Sequence, residues 1–94
     1  MFKTNAYFDN QVLSIAFKNE EGTATVGVMA PGTYTFSTTT IEYMTVISGE
    51  MQVQLPRAQD VHTYKAFETF KIEAHQSFQV TVKSDTSYKC IYII

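Results

Sequence analysis

Apolar and polar residues alternate along most of this chain. Leu13, Ile15 and Phe17 are separated by Ser14 and Ala16. Ala24, Val26 and Val28 are separated by Thr25 and Gly27, and Tyr34 and Phe36 lie between Thr33, Thr35 and Ser37. The same rhythm returns at Met51, Val53 and Leu55, at Phe78, Val80 and Val82, and at Tyr88, Cys90 and Tyr92. A period of two is that of a strand with one buried face. No stretch long enough for a helix carries a 3.6-residue period with caps.

Turn-forming residues punctuate these runs. Asn19 to Gly22, Ser48-Gly49-Glu50, Glu73 to Ser77 and Ser84 to Ser87 each break an alternating segment. Pro31-Gly32 suits the centre of a type II turn, where proline presets φ and glycine accepts a positive one. Pro56 closes the strand before it because it has no N–H for a ladder. Residues 57–63 form the most irregular connection, and Tyr64 to Ile72 reads as one further strand region. About eight or nine short strands separated by turns predict an all-β barrel or sandwich. The final strand is apolar on both faces at its end, which predicts a central strand or one packed on a second subunit.

One stretch carries the candidate chemistry. Between Gly22 and Gly49 the only ionisable side chain besides tyrosine is Glu42. It shares a strand face with Met44 and Val46, while Tyr43, Thr45 and Ile47 take the other. A lone carboxylate in such a tract either looks into a pocket or marks the one wet point of a buried sheet. Four hydroxyl residues, Ser37 to Thr40, stand just before it.

Composition narrows the partners. The 94 residues are 45% hydrophobic with seven Phe and six Tyr, enough for one core and one domain over residues 1–94. Net charge is −2 and the seven Lys and Arg are scattered, so no basic stripe exists for nucleic acid. No apolar run is long enough to span a membrane as a helix. The start, MFKTNAYFDN, lacks the apolar core of a secretory signal. The single cysteine, Cys90, has no internal partner, and a reducing cytoplasmic location is expected. Cys90 reads first as a small buried core residue and second as a reactive thiol.

Glu42, followed after six intervening residues by Gly49, is similar to the end of the first cupin motif, and Phe67 to Phe78 resembles the second. The segments NAYF (Asn5 to Phe8), VLSIAF (Val12 to Phe17), TVGVMAPGTYTFST (Thr25 to Thr38), MTVISG (Met44 to Gly49) and SYKCIY (Ser87 to Tyr92) resemble the pyrimidine/purine nucleoside phosphorylase family across essentially the whole chain. The resemblance implies a small antiparallel, jelly-roll-like cupin barrel and a homodimer. It also implies phosphorolysis of purine and pyrimidine nucleosides to free base and pentose 1-phosphate, with inorganic phosphate as co-substrate. Metal-binding cupins place two histidines before the Glu and a third in the second motif. Here those positions fall on Phe36 and Thr38, or on Thr35 and Ser37, and near Phe78. A lone Glu42 falls short of the three or four ligands a tight divalent site uses, so a metal-free cupin without cofactor is expected.

Phosphorolysis needs donors for phosphate, tolerance of positive charge at C1′ and a proton or hydrogen bond for the leaving base. Glu42 could hold ribose hydroxyls or stabilise the sugar cation; its structural alternative is bonding to neighbouring hydroxyls and backbone. Thr38 and Thr40 could bind phosphate or sugar, or sit as solvated turn residues. Tyr34, Phe36, Tyr88 and Tyr92 could stack on a base, with core packing favoured for Phe36, and Met44 shares the face of Glu42. His75 could protonate a base or contact phosphate, or face solvent in its turn. Arg57 could clamp phosphate through its fork of donors, against a solvated surface role. The other lysines and His62 carry no assignment. The non-enzymatic alternative is a cupin module that binds or senses a small ligand.

Overall fold

The computed structural model describes residues 1–94. Ten strands follow one another: β1 (Thr4–Tyr7), β2 (Val12–Asn19), β3 (Gly22–Met29), β4 (Gly32–Ser37), β5 (Ile41–Ser48), β6 (Glu50–Gln54), β7 (His62–Lys65), β8 (Thr69–Ile72), β9 (Ser77–Val82) and β10 (Thr86–Ile93). They form a six-stranded sheet, β1-β2-β3-β10-β5-β8, and a four-stranded sheet, β4-β9-β6-β7. Every pairing is antiparallel. This is the expected all-β, cupin-type architecture. No helix is long and apolar enough to cross a membrane.

The core lies between the sheets. Val46, Val53, Val80 and Met51 are fully buried, and Met29, Ile72 and Val82 nearly so. An aromatic run crosses it, with Tyr64 stacked on Phe70 at 4.6 Å and Phe36 tilted against Phe78 at 5.6 Å between ring centroids. Strand β10 is central in its sheet, between β3 and β5, as its two apolar faces predict.

Three details depart from the sequence reading. The lead before Val12 contains a strand, β1, which pairs with β2 from Thr4↔Ile15 to Tyr7↔Val12. The region Tyr64 to Ile72 is two strands in different sheets, parted at Phe67, whose φ is 71°. Pro31-Gly32 is not a type II turn: Gly32 has φ 158° and opens β4 directly, where such a turn needs about +80°. That step moves the chain from one sheet to the other, so no hairpin is required. Gly49 likewise carries the chain from β5 in one sheet to β6 in the other, here with φ 91°, and a side chain there would meet Thr86 Oγ1.

The pleat assigns faces that alternation alone leaves open. On β5, Met44 and Val46 are buried and point inward with Glu42. On β2 and β3, beyond the buried pair Val12 and Met29, the inward residues are small or polar: Ser14, Thr25 and Gly27. Leu13, Ile15, Val26 and Val28 point outward and are 37–51% exposed. Of the larger apolar residues of these two strands, Val12 and Met29 join the core, whereas Leu13, Ile15, Val26 and Val28 sit on the outer face.

Candidate active site

Removing bulk from the inner face of β2 and β3 leaves space. A cavity of about 590 Å³ opens there, bounded by β1, β2, β3, β5 and β10 on one side and by β4 with the Ser37–Thr40 link on the other. Its sheet wall carries Asn5, Ser14, Thr25, Tyr88, Tyr92 and Glu42; its opposite wall carries Phe36, with Phe8 folded over it from the β1–β2 turn. Phe8 lies 5.7 Å from Phe36 and perpendicular to it, and 5.0 Å from Tyr34. The turn that delivers Phe8 is tight, with Phe8, Asp9 and Asn10 all at positive φ. One wall is thus hydrogen-bonding and the other aromatic.

The polar wall is internally connected. The Cys90 thiol donates to Glu42 Oε1 at 3.3 Å. Thr25 Oγ1 and the Tyr92 hydroxyl share a hydrogen bond of 3.0 Å, and Asn5 Nδ2 donates to Ser14 Oγ at 3.5 Å. Burial lifts the Glu42 carboxyl above the ordinary carboxylate range, opposed by the hydrogen bond from Cys90. Burial first, and the Glu42 carboxylate next to it second, push the Cys90 thiol up, so it stays protonated. Burial likewise raises Tyr92, and it takes Tyr88 to about 12. The wall therefore presents neutral hydroxyls around one acid, which a buried thiol supports from behind. Thr40 Oγ1 is the one buried side-chain oxygen or nitrogen with no hydrogen-bond partner, and Thr40 lines this cavity.

Among the residues singled out from sequence, Glu42, Phe36, Thr40, Met44, Tyr88 and Tyr92 all line the cavity. The other four lie elsewhere. Tyr34 is buried in the core and its hydroxyl donates to the Ala30 carbonyl. Thr38 is 4% exposed; its hydroxyl donates to the Glu73 carbonyl at 2.7 Å and accepts from the Gln76 N–H at 3.0 Å. His75 is exposed in the β8–β9 turn at φ 60°, bonded through its N–H to the Thr38 carbonyl. Arg57 sits at φ 62° beyond β6, beside two smaller concavities. Asn5, Tyr7, Phe8 and Lys3 also line the cavity and had no assignment. The signal for three of them was the NAYF segment, which contributed to the family resemblance without being placed on a strand.

Nowhere do three His, Cys, Asp or Glu side chains group as a metal site, so the residues present do not fit the metal of other cupins. A second concavity, about 630 Å³, lies on the outer face against Leu13, Ile15, Val26 and Val28 and has no charged side chain in its lining.

The chain is 56% identical over 92 residues to a pyrimidine/purine nucleoside phosphorylase of Alcanivorax borkumensis, covering 98% of each chain. It is 51% identical over 92 residues to one of Cellvibrio japonicus, covering 98% of this chain and 99% of the other. A crystal structure from Vibrio parahaemolyticus superposes with a TM-score of 0.93 at 41% identity, covering 99% of both chains. The model of the family described as pyrimidine/purine nucleoside phosphorylase matches residues 2–92, and the chain belongs to that family.

Proposed function

We propose that this protein is a nucleoside phosphorylase of broad base specificity that works without a metal, in the cavity between Glu42 and Phe36. The observation that carries this reading is one acid on a hydrogen-bonding wall facing an aromatic wall, in a chain of this family. Ribose lies along the polar wall, its hydroxyls bonded by Glu42 and Tyr92, with Thr40 supplying the donor left unpaired in the fold. The base lies against Phe36 and Phe8, and a π face is common to purines and pyrimidines, so stacking selects weakly among them.

Hydrogen phosphate attacks C1′ through an oxygen as the glycosidic C–N bond breaks. The bond's electron pair goes to the base nitrogen, and the proton of the hydrogen phosphate ends on the base. Products are free base and pentose 1-phosphate. Positive charge grows on the sugar in the transition state, and the Glu42 carboxylate stabilises it across a poorly solvated cavity. No covalent nucleophile is required, and Cys90, held protonated, acts as a donor to Glu42.

We also propose a homodimer formed through the outer face of β2 and β3. Leu13, Ile15, Val26 and Val28 form an uncharged apolar patch of the kind that isolated monomers rarely leave to water.

The test is phosphate-dependent release of uracil from uridine, and of the bases of adenosine, inosine and guanosine, after exhaustive chelation of metals. Release from each is expected. Absence of phosphate-dependent release from all four substrates overturns the enzymatic reading.

A further inference from the structure

The cavity has no assigned seat for phosphate. Both phosphate candidates with a cationic or titratable side chain, Arg57 and His75, lie off its wall, and the hydroxyls of Ser37, Thr39 and Thr40 are neutral. A phosphate dianion moved from water into a largely uncharged cavity needs a compensating cation or it does not bind. One side chain on the wall meets that need. We infer that Lys3 is the residue that seats inorganic phosphate, a role that rests on the phosphorylase reading above.

The backbone fixes the direction of Lys3 despite its place near the start of the chain. Its carbonyl accepts the Ala16 N–H at 2.8 Å, extending the β1–β2 ladder one residue past Thr4. Alternation along β1 then puts Lys3 on the same face as Asn5 and Tyr7, which line the cavity with it. Lys3 and Glu42 are the only charged side chains on the wall. The other lysines do not line the wall: Lys71 pairs with Glu73 at 3.0 Å, Lys89 with Glu21 at 3.3 Å, Lys65 and Lys83 are exposed, and Lys18, exposed at the far end of β2 on the face of Ser14 and Ala16, stops short of the lining.

Position also separates the two charges. Lys3 immediately precedes the edge strand β1, and Glu42 is on β5, four strands across the sheet in the order β1-β2-β3-β10-β5. Strand spacing makes that roughly 19 Å along the sheet, shortened across the opening by its curvature. An anion held at Lys3 is therefore kept off the Glu42 carboxylate, and the sugar carbon lies between the nucleophile and the acid. Lys3 is exposed at the mouth, where phosphate arrives from solvent, and the amide of Asn5, next along that face, supplies a neutral donor.

The experiment measures steady-state phosphorolysis of uridine by the full chain, varying phosphate and uridine separately, for the parent, Lys3→Gln, Lys3→Arg and a control, Lys83→Gln. Thermal melts of each variant accompany the kinetics. Lys3→Gln is expected to raise KM for phosphate about tenfold or more, the loss of a charge-assisted hydrogen bond, with KM for uridine near that of the parent. Lys3→Arg restores phosphate affinity, and Lys83→Gln leaves it unchanged. Sulfate should compete with phosphate in the parent and lose that competition in Lys3→Gln. An active parent with unchanged phosphate KM in Lys3→Gln overturns the role of Lys3 and leaves the phosphorylase reading standing. Equal rises in both KM values without rescue by arginine also overturn it, as a structural role. A parent with no phosphate-dependent turnover overturns both.

Discussion

The Cys90 thiol reaches Glu42 diagonally across the sheet. In the β10–β5 ladder Cys90 is opposite Met44 and Glu42 is opposite Tyr92, yet Sγ donates to Glu42 Oε1 at 3.3 Å. Diagonal neighbours on one face are within reach of such side chains. The contact gives the cavity's one acid a donor from below and keeps the thiol protonated.

Cys90 should therefore be inert in the folded protein. It is 1% exposed, and burial and the carboxylate both disfavour the thiolate that reacts with disulfides and alkylating agents. At pH 8 the native protein is expected to leave a thiol reagent unconsumed over the time in which the unfolded protein titrates one thiol per chain. Rapid modification of the native protein would contradict the contact.

Alkaline pH should unfold the protein steeply. Cys90, Tyr88 and Tyr92 all hold their protons to higher pH in the folded state than in the unfolded chain, Tyr88 to about 12. Where the folded state keeps a proton that the unfolded chain has lost, stability falls with rising pH, by about 1.4 kcal/mol per pH unit for each such group. The fall begins near the ordinary thiol range and deepens through that of the phenols. Urea midpoints measured from pH 8 to 11 should drop accordingly, and Tyr92→Phe should flatten the curve above pH 10.

Glu42 follows the same sign at acid pH and opposes function to stability. Its folded carboxyl is raised by burial, so stability is highest below the unfolded carboxylate pKa and is lost as pH rises through the folded one. Glu42→Gln removes that loss. The variant is expected to melt higher than the parent at pH 7.5 and equally at pH 4, while kcat/KM for uridine falls about a hundredfold or more. A drop in stability at neutral pH would place Glu42 in the structural rather than the catalytic class.

The fold was largely legible because strand alternation and turn residues are local signals. Glu42 and Thr40 line one cavity, and their signals were local: Glu42 stands alone in its tract and the hydroxyl run stands beside it. What was not legible was direction. Leu13, Ile15, Val26 and Val28 are an apolar face of their strands and point outward, whereas Ser14 and Thr25 point into the cavity. Burial by a partner and burial by a core leave the same period-two pattern. Thr38 and His75 were unreadable for a related reason. Both serve the junction between β4 and the β8–β9 turn, a contact between residues 35 or more positions apart.

That junction gives Thr38 a structural role. Thr38→Val keeps the shape of the side chain but leaves the Glu73 carbonyl and the Gln76 N–H without their partner. The expected cost is about 2 kcal/mol, or roughly 10 °C in melting temperature for a domain of this size. KM for phosphate and for uridine should stay near the parent values in the folded fraction. A stable Thr38→Val with weakened substrate binding would instead return Thr38 to the site.

Gly27 is required for a close approach. A Cβ there would lie 2.5 Å from the Leu13 carbonyl oxygen and 2.7 Å from the Tyr88 hydroxyl oxygen. Tyr88 is opposite Gly27 in the β3–β10 ladder and lays its phenol over the space the missing side chain leaves. The carbonyl belongs to the paired strand and cannot move without breaking the ladder. Gly27→Ala should cost about 2 kcal/mol or more and displace Tyr88 from the cavity wall. The measurement is a urea melt with tyrosine fluorescence of the native state as the local readout.

The outer face can be separated from the cavity by charge. Val28 is 51% exposed and Leu13 45%, and they are paired across β2 and β3 on the face away from Glu42. Placing aspartate at Val28 puts a charge in the centre of the proposed interface without touching the core. Sedimentation of the parent is expected to give twice the chain mass, and Val28→Asp the chain mass, with the far-ultraviolet spectrum unchanged. Because the cavity wall comes from one chain, a folded monomeric variant should keep phosphorolysis if the second subunit serves only to cover the apolar face. Loss of activity together with the dimer would mean that pairing holds β2 and β3, and with them Ser14 and Thr25, in the geometry the substrate requires. A parent that sediments at the chain mass would overturn the dimer and leave the patch on β2 and β3 open to water.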